Sequence, residues 1–396
     1  MRKSIAVLAL LIPCVLTAQK KELSQARSYI KSGKDFDKAE QLMTKLLKDS
    51  ANRDNERIYE TWYESVMMQY QAANEKLYLK QKYDTANFYN LIKRMYAITE
   101  SLDSLDARPD AKGRVKLSYR KGNARSMDQL RRNLYFGGTY NMRKDEYQKA
   151  FQFFDTYIDA AHQPLFTGYD YLEHDTLMPT AAYWAVVCGH RCGDPQMTLQ
   201  HSQLALKDES KARFTLQYIC EAYKQMNNED GYVSTLQQGF SRFPDYPYFF
   251  PRLADNYNAH GKSDSVLVIA DKALEQFPDN SLFLLAKSLA LLSMERYEEC
   301  VKVSERLIQL DDSLPEPHFN IAMAYLNQAL ELEKRNEPRL YRQQLTKLYS
   351  KARPHMEKYR KLVPDDQQRW APALYRVYLN LNMGKQFEEI DQLMRK

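Results

Sequence analysis

The chain has 396 residues, enough for several ordinary domains or one elongated array. Its 12 glycines and 15 prolines are few for that length, and Leu, Ala, Glu, Lys and Gln recur throughout, which favours helices. A composition of 44% hydrophobic and 27% charged residues excludes wholesale disorder, collagen and a polytopic membrane protein, and a dispersed net charge of +6 is too weak for a dedicated nucleic-acid binder.

Arg2 and Lys3 precede an apolar run from Ile5 to Leu16, and the small residue Ala18 follows it. The run is shorter than the roughly 20 residues that span a bilayer, and its flanks are those of an export signal. Residues 1–18 are therefore read as a cleaved signal peptide, with cleavage after Ala18 and a mature chain starting at Gln19. This predicts an exported, periplasmic protein, with outer-membrane association as the alternative. No later segment is apolar enough for a transmembrane helix, and peripheral membrane association stays open. Cleavage also removes Cys14 and leaves Cys188, Cys192, Cys220 and Cys300, too few for a disulfide framework and read as small buried packing residues.

Residues 19–161 show degenerate helical repeats. Tyr29, Ile30, Gly33, Phe36, Ala39, Met43 and Leu46 alternate helical spacing with a turn, and Ile58, Trp62, Val66 and Tyr70 then Phe88, Leu91, Met95 and Leu102 continue the pattern. Two interruptions are predicted as loops. Residues 104–125 carry Arg108, Lys112, Arg114, Lys116, Arg120, Lys121 and Arg125 against Asp106 and Asp110. Residues 162–178 form an irregular loop whose Asp170, Glu173, His174 and Asp175 could ligate a metal, although a solvated loop is the reading preferred here, with no metal site expected.

From residue 179 to 396 the chain becomes a regular array. Gly189, Tyr223, Tyr257, Leu291 and Tyr325 are each 34 residues apart, as are Ala205, Gly239, Ala273 and Leu307. Gly193 and Gly261 sit four residues beyond two of these nodes, where a turn belongs. The step breaks near 328–348, an insertion rich in helix formers that should lengthen the two helices around it. Leu374, Val377, Tyr378, Leu381, Gly384, Phe387 and Ile390 form the last unit.

This period and these residue types resemble the tetratricopeptide repeat (TPR), and Phe250, Leu253, Ala254, Tyr257, Gly261, Ala270, Ala273 and Pro278 stand in its spacing. The resemblance implies an all-α fold, a right-handed superhelical solenoid of about nine helix-turn-helix pairs whose first helices line a groove. It places Tyr183, His190, Arg191, Gln217, Glu221, Lys224, Asp255 and Asn258 in that groove. Gln217 with Glu221, then Pro251 with Asp255, depart from the Lys and Asn of chaperone-binding TPR domains, so that ligand class is not implied. Further on, Leu285 and Leu289, joined by Phe319 and Met323, give the groove an apolar stretch within a helix over 282–292 that is apolar nearly all round. Either later helices cover it, or it is a dock for a protein partner.

Seven scattered histidines form no recognisable catalytic constellation, and no zinc helix, phosphate loop, dinucleotide loop or nucleophile elbow occurs. The sequence thus predicts an exported scaffold that binds protein or peptide in the bacterial cell envelope, without catalysis and without a cofactor. Alternatives are an accessory subunit of an outer-membrane assembly or transport complex and, from another class, an envelope enzyme or glycan-binding protein using the 162–175 loop. Its oligomeric state is not legible in the sequence.

Overall fold

The computed structural model describes residues 19–335 and 338–395; the predicted signal peptide, with its cleavage after Ala18, lies outside them. The described chain is an all-α helical repeat of tetratricopeptide-like hairpins. Unit 1 of the fold ends at Thr235 and unit 2 starts at Leu236. The sequence suggested its main break at 162–178 instead.

The first three hairpins are α1 (19–32) with α2 (Phe36–Leu46), α3 (Glu56–Tyr78) with α4 (Thr85–Asp106), and α5 (Arg120–Met142) with α6 (Tyr147–Asp159). A single turn, α7 (Tyr171–His174), precedes α8 (Met178–Cys192), whose partner helix is broken into α9 (Pro195–Gln200) and α10 (Ser202–Ala205). The break falls at His201, whose ring nitrogen Nε2 lies 2.7 Å from an Asp155 carboxylate oxygen. Next come α11 (Ala212–Gln225) with α12 (Glu229–Arg242), α13 (Phe249–Ala259) with α14 (Ser263–Gln276), and α15 (Ser281–Ser293) with α16 (Tyr297–Leu310). Last are the long α17 (Pro315–Glu333) with α18 (Pro338–Leu362), then α19 (Gln367–Asn380) with α20 (Gly384–Met394), nine hairpins in all among the described residues.

One backbone device ends most first helices. At the cap or within two residues of it, the chain takes the left-handed conformation at Lys80, Asp145, Gly193, Asn227, Gly261, Glu295 and Asn382, closing α3, α5, α8, α11, α13, α15 and α19. The next amide then reaches back five residues: Asp194 to the Gly189 carbonyl, Asn228 to Tyr223, Lys262 to Tyr257 and Arg296 to Leu291, at 2.9–3.0 Å. These acceptors are the 34-residue nodes read in the sequence. Each bond satisfies a carbonyl that the helix end would otherwise orphan, and it turns the chain sharply into the second helix.

Close approach sets the other small-residue nodes. A Cβ on Gly189 would stand 2.4 Å from the backbone nitrogen of Thr198, so α8 and α9 touch backbone to backbone. A Cβ on Gly239 would meet the Phe249 ring at 2.3 Å, while Ala205, Ala273 and Leu307 at the equivalent nodes are buried. The tyrosine nodes are less deep. Tyr223 and Tyr257 are half-buried, the first lying over Gly231 and the second accepting a 2.8 Å hydrogen bond from Gln237 at its hydroxyl.

In unit 1 the main core gathers Leu91, Met95, Tyr96, Phe153, Phe154, Tyr157, Ala181 and Ala185. In unit 2 one core gathers Tyr349, Met356, Tyr359, Trp370, Leu374 and Val377 from α18 and α19. Phe250 and Phe283, with centroids 4.6 Å apart, pack edge to face in the same unit.

Both predicted loops are smaller and better anchored than the sequence suggested. Helix α4 continues to Asp106 and α5 starts at Arg120, so only 107–119 lies outside helix. Arg120 makes a bidentate bond to the buried carboxylate of Asp103, at 2.6 and 2.8 Å, which fixes the start of α5. The 162–178 segment is a folded clasp, with short helical turns at Pro164–Phe166 and Tyr171–His174 and with Leu165 and Phe166 buried.

Candidate partner-binding surfaces

The first helices carry the residues expected to line a groove, and the structure sorts them by exposure. In unit 1, α8 supplies His190 and α11 supplies Gln217 and Glu221. The Glu221 carboxylate accepts from Gln217 Nε2 at 3.1 Å and lies 3.4 Å from His190 Nδ1. Tyr218 lies beside the imidazole, its ring tilted and its centroid 4.6 Å away. These three candidates therefore form one half-exposed polar cluster, able to exchange hydrogen bonds with a peptide backbone. Arg191 and Lys224, on the same two helices, are exposed.

Tyr183 is a correction. It is buried in the unit 1 core against Trp184, with ring centroids 5.0 Å apart. Helix α8 packs against both α6 and α11, so the side of the helix that bears this tyrosine is covered. Cys192 is another, because it is exposed, whereas Cys188, Cys220 and Cys300 are buried as expected and all four are free. Burial pushes the Cys188 thiol up to about 12, which makes it inert at neutral pH.

In unit 2, Asp255 and Asn258 on α13 are exposed. On α15, Leu282 and Leu289 are 42% and 39% exposed, and Leu285 and Leu292 in the same row are half-buried. Neither the long helices nor the described end of the chain covers Leu282 and Leu289. Phe319 and Met323 are half-buried and partly committed to packing: Phe319 lies 5.0 Å from the Tyr359 ring with the Arg369 guanidinium 3.8 Å above it. Lys287 pairs with Asp271 at 2.6 Å and flanks the leucines with charge.

The clasp arranges its polar residues for structure. Asp175 accepts from the Tyr157 hydroxyl at 2.6 Å and from the Leu177 amide at 2.9 Å, and it pairs with Arg131. These partners hold its carboxyl below its usual range, against the opposing effect of burial. Arg131 is sandwiched between the rings of Tyr157 and Tyr171, at 4.0 and 3.9 Å, and donates to the Tyr157 carbonyl at 2.9 Å. Asp170, Glu173 and His174 are exposed and do not converge with Asp175. Among the described residues, no group of three or more His, Cys, Asp and Glu is arranged to hold a metal ion.

Two open cavities escaped sequence reading. One, of about 740 Å³, lies under the 107–119 loop. The other, of about 640 Å³, is framed by Glu298, Lys302 and Glu305 of α16, Tyr325 of α17 and Lys347 and Lys351 of α18. It exists because α17 and α18 outrun their neighbours, a consequence of length that side-chain periodicity does not reveal.

The sequence matches no protein-family model and none of the curated proteins. Among solved structures it is similar to the C-terminal part of a TPR repeat-containing protein from Cytophaga hutchinsonii, at 11% identity and TM-score 0.42, over 65% of this chain and 92% of that one. It is also similar to yeast Tom70, at 14% identity and TM-score 0.34, over 95% and 84% of the two chains. MamA from AMB-1 is a third, at 17% identity and TM-score 0.33, over 48% of this chain and 93% of the other.

Proposed function

We propose that this chain is a non-catalytic scaffold that binds protein partners, and that it works after export, in the envelope of a bacterial cell. The observation that carries the binding reading is the leucine row of α15. Leu282, Leu285, Leu289 and Leu292 are spaced three, four and three residues apart, the seam that one helix offers to another, and two of the four are exposed. A partner helix with an apolar stripe fits that row. The His190, Gln217 and Glu221 cluster of unit 1 would serve an extended segment through hydrogen bonds. Stacked hairpins provide rigid helix faces rather than a closed chemical site, which suits recognition. The export reading is supported by the charged, apolar and small-residue order of residues 1–18.

A photo-crosslinking residue placed at 289 or at 221 in living cells tests both parts. The expected result is a reproducible adduct with one envelope protein from position 289, lost in a chain that also carries Leu285→Asp. Leu289→Asp should leave the melting transition within the range of ordinary surface changes, about 0.5 kcal/mol. A collapsed transition would show instead that the row is structural. Adducts exclusively with cytoplasmic proteins would overturn the envelope reading.

A further inference from the structure

Between α4 and α5 the chain builds a small projecting platform. Residues 108–118 are exposed without exception. They are nonetheless tightly fastened. The Asp110 carboxylate accepts the amides of Lys112 and Arg114 at 2.8 and 2.9 Å and the Arg114 guanidinium at 2.9–3.0 Å, and Gly113, at φ +75°, closes the turn. Arg108 reaches Asp54 at 2.6 Å, and the Tyr119 amide reaches Asp106 at 2.9 Å. A connector kept soluble by charge needs none of this clamping.

The platform displays Arg114, Val115, Lys116 and Leu117 in alternation, with Val115 53% and Leu117 41% exposed. Three cations nearby are spent on Asp54, Asp110 and Asp103. Four more, Lys112, Lys116, Lys121 and Arg125, are exposed and form no ion pair among the described residues. Two aliphatic side chains set among unpaired cations are too little surface for a stable protein interface, which needs about 800 Å² from each partner. They suffice for a bilayer surface, where insertion of a few apolar groups and attraction to anionic headgroups add without any matching shape.

We propose that the 107–119 platform is a peripheral membrane contact, with Val115 and Leu117 entering the interfacial layer and Lys112, Lys116, Lys121 and Arg125 meeting anionic headgroups. The proposal is independent of the α15 dock, which lies in unit 2. Co-sedimentation of the chain starting at Gln19, with phosphatidylcholine vesicles and with vesicles containing about one-third phosphatidylglycerol, tests it. Binding should require the anionic lipid and fall with salt. Val115→Ser with Leu117→Ser should weaken partitioning about tenfold with an unchanged melting transition. In a separate variant, Leu117→Trp should add a blue-shifted emission on anionic vesicles. No binding to anionic vesicles, or equal binding by the double serine variant, would overturn the proposal. So would tight binding to a poly-glutamate peptide that ignores Val115 and Leu117, since the platform would then serve an acidic protein.

Discussion

Arg131 in unit 1 and Arg376 in unit 2 keep the same company, a carboxylate and a tyrosine, at different depths. Arg131 pairs with Asp175 against the Tyr157 ring, and its side chain is 6% exposed. Arg376 pairs with Glu333 and donates to the Tyr349 hydroxyl at 3.1 Å, with its side chain 32% exposed. The first ties down the clasp, which also buries Leu165 and Phe166 in the unit 1 core. The second braces three helices that already stack. Buried charge thus reinforces the interruption of the repeat, where a pair of fixed geometry adds orientation to apolar contact.

The largest effects should expose that asymmetry. Arg131→Met should cost about 3–5 kcal/mol, since Asp175 stays in place without its cation. Arg376→Met should cost about 1 kcal/mol, because water reaches Glu333. Urea melts read by hydrogen exchange in peptides from each unit give both numbers, and equal losses would break the comparison. Next in size come the tight glycines. Gly189→Ala should cost more than about 3 kcal/mol, as the new methyl meets α9 backbone that cannot rotate away. Gly239→Ala, opposed by the Phe249 ring, should cost about 1–3 kcal/mol because a ring can tilt. The reverse order would show that the α8 and α9 pair is the softer contact.

How much of this could be read beforehand follows from sequence distance. The lattice was legible because one backbone turn recurs every 34 residues and acts within six residues of itself. Even so, Gly193 and Gly261 revealed only half of that turn series, since Asn227 and Glu295 adopt the same left-handed conformation without being glycine. The clasp was illegible because Asp175 is held by Arg131, 44 residues earlier and on another helix. Tyr183 was misplaced for a similar reason. Helical spacing says which side of α8 it occupies, and only the approach of α6 and α11 decides whether that side is covered. Leu289 could be assigned to the groove side from its register, while its exposure depended on where α17 and α18 go.

The units should also answer pH in opposite directions. In unit 1, burial and then the nearby Asp159 carboxylate raise Glu100 to about 7. A raised carboxyl is protonated in the fold, so its stability is fully present below the unfolded value near 4.5 and is lost as pH rises through 7. Glu100→Gln should remove that loss and gain about 2 kcal/mol at pH 8, allowing for solvent screening of a half-exposed group. In unit 2, His318 and His355 face each other with Nδ1 atoms 3.2 Å apart. Burial lowers both, and their mutual repulsion lowers His318 further, with Lys358 acting the same way and Asp312 opposing. A lowered histidine is neutral in the fold, so its stability is present above the unfolded value of 6.5 and is lost as pH falls through the folded values. Hydrogen exchange between pH 5 and 8 should therefore show unit 1 loosening with base and unit 2 with acid. His355→Gln should flatten the acid arm alone.

The smallest effect compares the same backbone turn across the two units. Glu295 in unit 2 and Asn227 in unit 1 occupy equivalent left-handed positions, at φ 61° and 52°. The conformation crowds a Cβ against the following carbonyl, at a cost of about 1–2 kcal/mol for most residues, and asparagine tolerates it better than glutamate. Glycine removes the crowding but has more freedom to lose on folding. Glu295→Gly should therefore stabilise by about 0.5–1 kcal/mol, and Asn227→Gly by a few tenths at most. Glu295 is exposed, so no packing term competes. A loss of stability at position 295 would mean that the glutamate side chain contributes more than its backbone strain costs, and the turn series would not be uniform across the two units.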